Sequence, residues 1–222
     1  MQRRSRERVE RILAAASELL AEGGVDALTM RALAARTDIP VATVYRYFSN
    51  RDEIIAAYLD HELEEIERAG ARALLELDRV TFRSMAEAVA LAHMAHHQAH
   101  PEGVAVWFGG RQNAVVLARV HELDARLASS LRTAARGTGM LAGAPDFSAD
   151  LLVRLFDRMF EFVFVEERTA AEQEAIVRGF VEMISAYMER FATPSGRDGI
   201  EAAEFVRALG AAAAPPVRHL RA

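Results

Sequence analysis

The chain has 222 residues, half of them apolar (51%), and a formal charge of −5, enough length and apolar content for one large or two modest packed units. It contains no cysteine, which excludes a disulfide framework, thiolate zinc sites, iron–sulfur clusters and cysteine nucleophiles. All 27 basic residues are arginine, and they are unevenly placed: residues 1–51 carry nine arginines against six acids, a net +3, and the remainder carries −8. A basic head on an acidic body suits a protein that meets phosphates at one end only.

The start, Met1-Gln2-Arg3-Arg4-Ser5-Arg6, is basic, but Glu7 and Glu10 follow at once, so no secretory leader is expected. No run approaches the ~18 apolar residues that span a bilayer. A cytoplasmic protein without a membrane partner is expected.

Apolar residues return every three or four positions throughout, with no alternation long enough for a strand, so the expected fold is all-α. The first helix presents Val9, Ile12, Leu13, Ala16, Leu19 and Leu20 on one face and stops at Gly23-Gly24. Thr29 caps a short second helix through about Arg36. Thr37-Asp38-Ile39-Pro40 is a turn, with Pro40 expected at the first position of a third helix over about Val41 to Tyr47. Asn50 and Glu53 resemble a capping box and open a long fourth helix with Ile54, Tyr58, Leu63 and Ile66 on its buried side. Further helices are expected at about 81–99, 101–108, 112–136, 147–166 and 170–191, the last opened by a capping box of Thr169 and Glu172. Residues 194–222 read as an extension with a short helix around Ile200 to Leu209 and a disordered end. The resulting division is a head (1–51), a helical effector-binding and dimerisation domain (52–193) and the extension (194–222).

Two short helices joined by a tight turn, after a longer supporting helix, form the helix-turn-helix arrangement, whose later helix enters the DNA major groove. The segments Leu28-Thr29-Met30-Arg31-Ala32-Leu33-Ala34 and Pro40-Val41-Ala42-Thr43-Val44-Tyr45-Arg46-Tyr47-Phe48-Ser49-Asn50-Arg51 resemble the signature of the TetR family of transcriptional regulators over about residues 8–55. Asp38 stands where that signature usually has a turn glycine, Pro40 where serine is common, and Ala42 where glycine or proline is frequent. Aspartate tolerates left-handed backbone and proline pre-sets the helix start, so the turn is expected to survive, at the cost of one phosphate-contacting hydroxyl at position 40.

The resemblance implies a repressor without enzymatic activity or cofactor that binds palindromic operator DNA as a homodimer and leaves it when a small molecule binds. Within it, Val44 and Phe48 lock the third helix from behind, while Val41, Ala42 and Thr43 face base edges, where small apolar groups suit thymine methyls. Arg31 matches a base-contacting arginine and suits a bidentate pair with guanine. Thr29, Tyr45, Tyr47 and Arg51 look like phosphate contacts. Arg3, Arg4 and Arg6 read either as an arm on the DNA or as a solvated charge run.

In the body, helices 147–166 and 170–191 are apolar on more than one face, and the resemblance implies that this pair forms a four-helix bundle with its twin. Leu152, Phe156, Phe164, Val177, Val181, Ile184 and Met188 are the expected dimer-interface residues. Phe82, Met85, Val89, His93, Trp107, Asn113, Met159, Phe160 and Val163 are candidates to line a cavity for an apolar or aromatic effector, each with plain core as its competing role. His93, His96, His97 and His100 are spaced so that two pairs lie one helical turn apart. A helical metal-dependent enzyme or metal sensor built on them is a second reading, and a ligand-independent architectural DNA binder a third.

Overall fold

The computed structural model describes residues 2–212, with side chains from Arg4 onward. Among these residues are eleven α-helices: α1 (Gln2–Ala27), α2 (Met30–Thr37), α3 (Val41–Tyr47), α4 (Arg51–Leu75), α5 (Phe82–Ala99), α6 (Pro101–Trp107), α7 (Ala114–Gly137), α8 (Ser148–Phe164), α9 (Ala170–Met188), α10 (Pro194–Asp198) and α11 (Ala202–Ala212). None is long and apolar enough to cross a membrane. The all-α expectation holds with one small exception, a two-stranded antiparallel ladder of β1 (Arg79–Val80) and β2 (Ile200–Glu201). Two-residue strands are too short to show alternation in a sequence, which is why periodicity could not reveal them.

The chain divides into two compact units. One contains the described residues up to Glu64 together with Ala99–Val120, and the other Glu65–Gln98 together with the described residues from His121. The first unit therefore reaches beyond the head as drawn at residue 51 and includes α6.

In the first unit, α1 packs on α2 and on α6, and α2 packs on α3. Ile12, Leu20, Leu28, Leu33, Val44 and Phe48 are all at most 2% exposed and form the apolar centre. Each such side chain contributes roughly 1.5–3 kcal/mol when removed from water. The break at Gly23-Gly24 is real: Gly24 takes φ 63°, which a side chain would strain, and the chain then completes one more turn to Ala27. Arg119 is buried and pairs with the half-buried Asp60, its Nε donating at 2.9 Å, an ion pair joining α7 to α4 within this unit.

In the second unit, α8 packs against α9. The Thr169 capping box is formed, with the Thr169 N–H donating to the Glu172 carboxylate at 2.8 Å and the Glu172 N–H to the Thr169 hydroxyl at 3.3 Å. Residues 194–198, the start of the expected extension, make α10, capped by Thr193. A side chain at Gly196 would collide with the Met140 carbonyl, so α10 sits tightly on the 138–147 connection between α7 and α8. The short helix expected around residues 200–209 is α11, anchored by the fully buried Phe205. The expected disordered end, residues 213–222, lies outside the described residues.

Candidate nucleic-acid interface

Local chemistry builds the α2–α3 tip. The Thr29 hydroxyl accepts from the Ala32 N–H at 3.1 Å and starts α2. Thr37 turns inward, its hydroxyl donating to the Leu33 carbonyl at 2.7 Å, and the Arg11 guanidinium donates to the Thr37 carbonyl at 2.5 Å, tying the end of α2 to α1. Asp38 then reverses the chain at φ 53°, the left-handed conformation for which a glycine would be usual. Pro40 is the cap of α3 and not its first residue, as the sequence suggested: its backbone is extended (φ −53°, ψ 135°), and its carbonyl accepts from Thr43 and Val44. Asn50 caps α4 by accepting from the Glu53 N–H at 2.9 Å, while Glu53 reaches back one residue further than in a capping box, to the Ser49 N–H at 2.7 Å.

The tip is apolar behind and open in front. Val44 and Phe48 are buried, whereas Val41 and Tyr45 are 39% and 53% exposed. Ala42 is exposed too, and Thr43 is half-buried. Arg31 is exposed and makes no ion pair among the described residues, which leaves its guanidinium available. Arg51 is half-buried, its Nε 3.8 Å from Asp52. The Thr29 oxygen already serves as a cap, so that hydroxyl can meet a phosphate only as a donor.

Tyr47 is half-buried at the edge of the tip, and its setting was not legible in the sequence. The Arg8 guanidinium beside its hydroxyl holds the phenol below its ordinary pKa range, with lesser help from Ser5 and Arg46. Arg46 lies over the Tyr47 ring at 5.4 Å. Residues 3–6 continue α1 and do not form an extended arm. A second basic group is already spent: Arg36 binds Glu18 and Glu22, each at 2.8 Å.

The residues expected around an effector fall into both units. Trp107 and Asn113 belong to the first, where Trp107 is buried and Asn113 caps α7 by accepting from the Val115 N–H at 2.8 Å. Phe82, Met85, Val89, His93, Met159, Phe160 and Val163 belong to the second. There His93 and Phe160 stack 5.7 Å apart, Phe156 meets His93 edge-on at 5.1 Å, and His97 meets Phe160 and Phe164 at 5.4 Å each. Burial pushes His93 down to about 4, and its Nδ1 lies 2.8 Å from the Val89 carbonyl, fixing a neutral tautomer. Among the described residues no group of three histidines or carboxylates is placed to hold a metal ion, so the histidine spacing produces an aromatic cluster.

The residues expected at the dimer face differ in exposure. Leu152, Val177, Val181, Ile184 and Met188 are buried within the single chain, and Phe156 and Phe164 are half-buried. The apolar side chains that α8 and α9 leave exposed are Leu151, Leu155, Phe162 and Met183.

A short exposed helix packed on α2, which in turn packs on a first helix whose arginines all lie in its opening residues up to Arg11, defines a helix-turn-helix protein of the DNA-binding class. Comparison with known proteins narrows the class. Residues 12–58 match the family described as "Bacterial regulatory proteins, tetR family". Over 70 residues the chain is 41% identical to the HTH-type transcriptional repressor KstR of Mycolicibacterium smegmatis, a match covering 32% of this chain and 34% of that one. The KstR of Rhodococcus jostii is 42% identical over 65 residues, 29% of this chain and 31% of its own. The matched stretch thus spans about a third of the length of these curated relatives. A TetR-family transcriptional regulator from Streptomyces coelicolor superimposes with a TM-score of 0.55 at 25% identity, over 83% of this chain and 99% of that one. Residues 12–58 are thus similar to the tetR family of bacterial regulatory proteins, and the chain carries the fold of a TetR-family regulator.

Proposed function

We propose that the chain is a transcriptional repressor that binds a palindromic operator as a homodimer and is released by a small-molecule effector. The observation that carries this reading is the tip itself: Val41, Ala42 and Tyr45 are exposed on α3 while Val44 and Phe48 hold its back. Solvent-facing valine and tyrosine on a seven-residue helix have no packing rationale within the chain, and a duplex groove supplies one. In this reading Arg31 pairs with a guanine, Val41, Ala42 and Thr43 meet base edges, and Thr29, Tyr45, Tyr47 and Arg51 contact phosphates. One short helix reads only a few base pairs, so two-fold symmetry doubles the recognised sequence. The exposed residues Leu151, Leu155, Phe162 and Met183 form the dimer face in place of the buried stripe. The effector acts by binding more tightly to the dimer whose heads do not match the operator spacing.

The test is a gel shift with DNA upstream of the chain's own gene and of its divergent neighbour, at low salt. A discrete complex and a footprint with two-fold symmetry are expected. Absence of any shift overturns the reading, and broad coverage without a palindrome favours an architectural binder.

A further inference from the structure

The operator contacts proposed for the tip leave out Arg8 and Arg46, yet both converge on Tyr47. Arg8 and Arg11 stand three residues apart on α1 and so share a face. Both reach across to the α2–α3 segment: the Arg11 guanidinium donates to the Thr37 carbonyl at 2.5 Å, and the Arg8 guanidinium donates to the Tyr47 hydroxyl. Ser5, one turn before Arg8, and Arg46 donate more weakly to the same oxygen, and Arg46 also lies over the Tyr47 ring, 5.4 Å from its centre.

These donors decide what the Tyr47 hydroxyl can still do. A phenol has one hydrogen to give and lone pairs with which to receive. With Arg8, Ser5 and Arg46 supplying hydrogens to the oxygen, its own O–H is left to be given to something else. A guanidinium donating to that oxygen polarises the O–H and strengthens the bond it gives, and the lowered pKa of the phenol, owed first to Arg8, has the same origin. The local charge is unbalanced as well. Arg8 and Arg46 are exposed, and neither forms an ion pair with a carboxylate among the described residues, whereas Arg36 is held by Glu18 and Glu22. Two unbalanced guanidiniums and a polarised O–H are complementary to an anion with several oxygens.

We infer that Arg8, Arg46 and Tyr47 form one composite site for a phosphate of the DNA backbone, in which Arg8 is a positioning residue that holds the Tyr47 hydroxyl as a donor to the phosphate. That the anion belongs to DNA rests on the operator reading. Tyr47 is the last residue of α3, so a phosphate bound there fixes the far end of the helix whose first residues face the bases. A backbone phosphate is the same in every sequence, so the site contributes to affinity and not to discrimination. It also gives the opening turns of α1 a part in binding: they supply donors to α3 from behind.

The experiment has one arm without DNA and one with it. In the full chain, isotopically labelled at the tyrosine Cζ, the Tyr47 resonance is assigned by its loss in Tyr47→Phe and followed against pH. Arg8→Ala is expected to move the phenol titration to higher pH at an unchanged melting temperature, since Arg8 is exposed. An unmoved titration overturns the positioning role. In the second arm, dissociation constants for a duplex from upstream of the chain's own gene and for an unrelated duplex are measured by fluorescence anisotropy at low salt. Tyr47→Phe and Arg8→Ala are each expected to weaken both duplexes about 10-fold, and the double variant to lose little more than either alone, because one residue acts through the other. Losses that multiply to about 100-fold in the double variant, or losses confined to one duplex, overturn the proposal. If neither duplex binds the unmodified chain, the operator reading falls on its own. Inorganic phosphate, measured against sodium chloride at equal ionic strength, then takes the place of the duplex: a Tyr47 shift abolished by Arg8→Ala supports the site, and no shift overturns it.

Discussion

The recognition helix and the last long helix pair deploy apolar side chains in opposite ways. On α3 a single buried position inside the helix, Val44, together with Phe48 just beyond it, fixes the element, and the remaining apolar surface faces outward. On α8 and α9 each helix carries two apolar stripes set one residue apart. On α9 one stripe runs through Val177, Val181, Ile184 and Met188 and is buried; the next runs through Ile176, Phe180, Met183 and Tyr187 and is half-buried or exposed. On α8 the outer stripe runs through Leu151, Leu155 and Phe162. One residue corresponds to a rotation of about 100° around a helix, so neighbouring stripes cover adjoining faces. A narrow apolar stripe identifies the inward face without help, whereas a wide one leaves open which half is core and which half faces a partner.

The largest expected effect tests the first half of that contrast. Phe48→Ala removes a side chain that is 2% exposed and is expected to lower stability by about 3–5 kcal/mol, read from chemical denaturation. Operator binding is expected to fail with it, since Val44 alone then holds α3 onto its support. A loss below about 1 kcal/mol would show that the tip is not clamped in this way.

The second half is tested by two neighbouring residues on α9. Ile184→Ala is expected to cost about 2–5 kcal/mol while the mass by light scattering remains that of a dimer. Met183→Glu is expected to leave the fold intact and yield a monomer, because a charge would then sit in the proposed interface. The opposite outcomes, a monomer from Ile184→Ala and an unaffected dimer in Met183→Glu, would restore the buried stripe as the interface.

This contrast also explains what the sequence could convey. The head was legible because its signals are local: Thr29, Asp38 and Asn50 each act on backbone within a few residues, and the buried Ile12, Leu33 and Val44 each mark the inward face of their own helix. The errors there were of one residue, with Pro40 a cap and Glu53 reaching Ser49. In the body, the helices were legible and their orientation was not. The two stripes carry similar side chains, so the sequence alone does not distinguish the one that packs inward from the one that faces a partner. The pairing of β1 with β2, whose partners Val80 and Ile200 are 120 residues apart, leaves no local trace. Nor does the Tyr47 setting, since it depends on Arg8 and Ser5, side chains brought to it from distant positions.

A smaller effect distinguishes a structural from a metal-binding histidine. His93 has a folded-state pKa of about 4, below the ordinary 6.5, because burial disfavours its charged form. The unfolded chain therefore binds the proton more readily than the folded one. Stability contributed by neutral His93 is complete above about pH 6.5 and falls as the pH drops toward 4, by up to about 3 kcal/mol. His93→Leu is expected to flatten that part of the profile of melting temperature against pH. Retention of the full slope in His93→Leu would assign it to other groups.

The smallest effects bear on how the exposed face of the tip divides its work. Arg31 and Arg51 differ in their surroundings: Arg31 makes no ion pair among the described residues, while Arg51 lies near Asp52 at the start of α4. A base-pairing arginine contributes to discrimination, and a phosphate contact contributes to affinity for every sequence. Arg31→Ala is therefore expected to cost about 1–3 kcal/mol on the operator and to relax preference at one base pair in each half-site. Arg51→Ala is expected to weaken operator and unrelated DNA alike and to reduce the slope of log affinity against log salt by about one. Equal losses on both kinds of DNA from Arg31→Ala would move Arg31 to the backbone-contacting set, leaving Val41, Ala42 and Thr43 to read the bases through shape and methyl contacts.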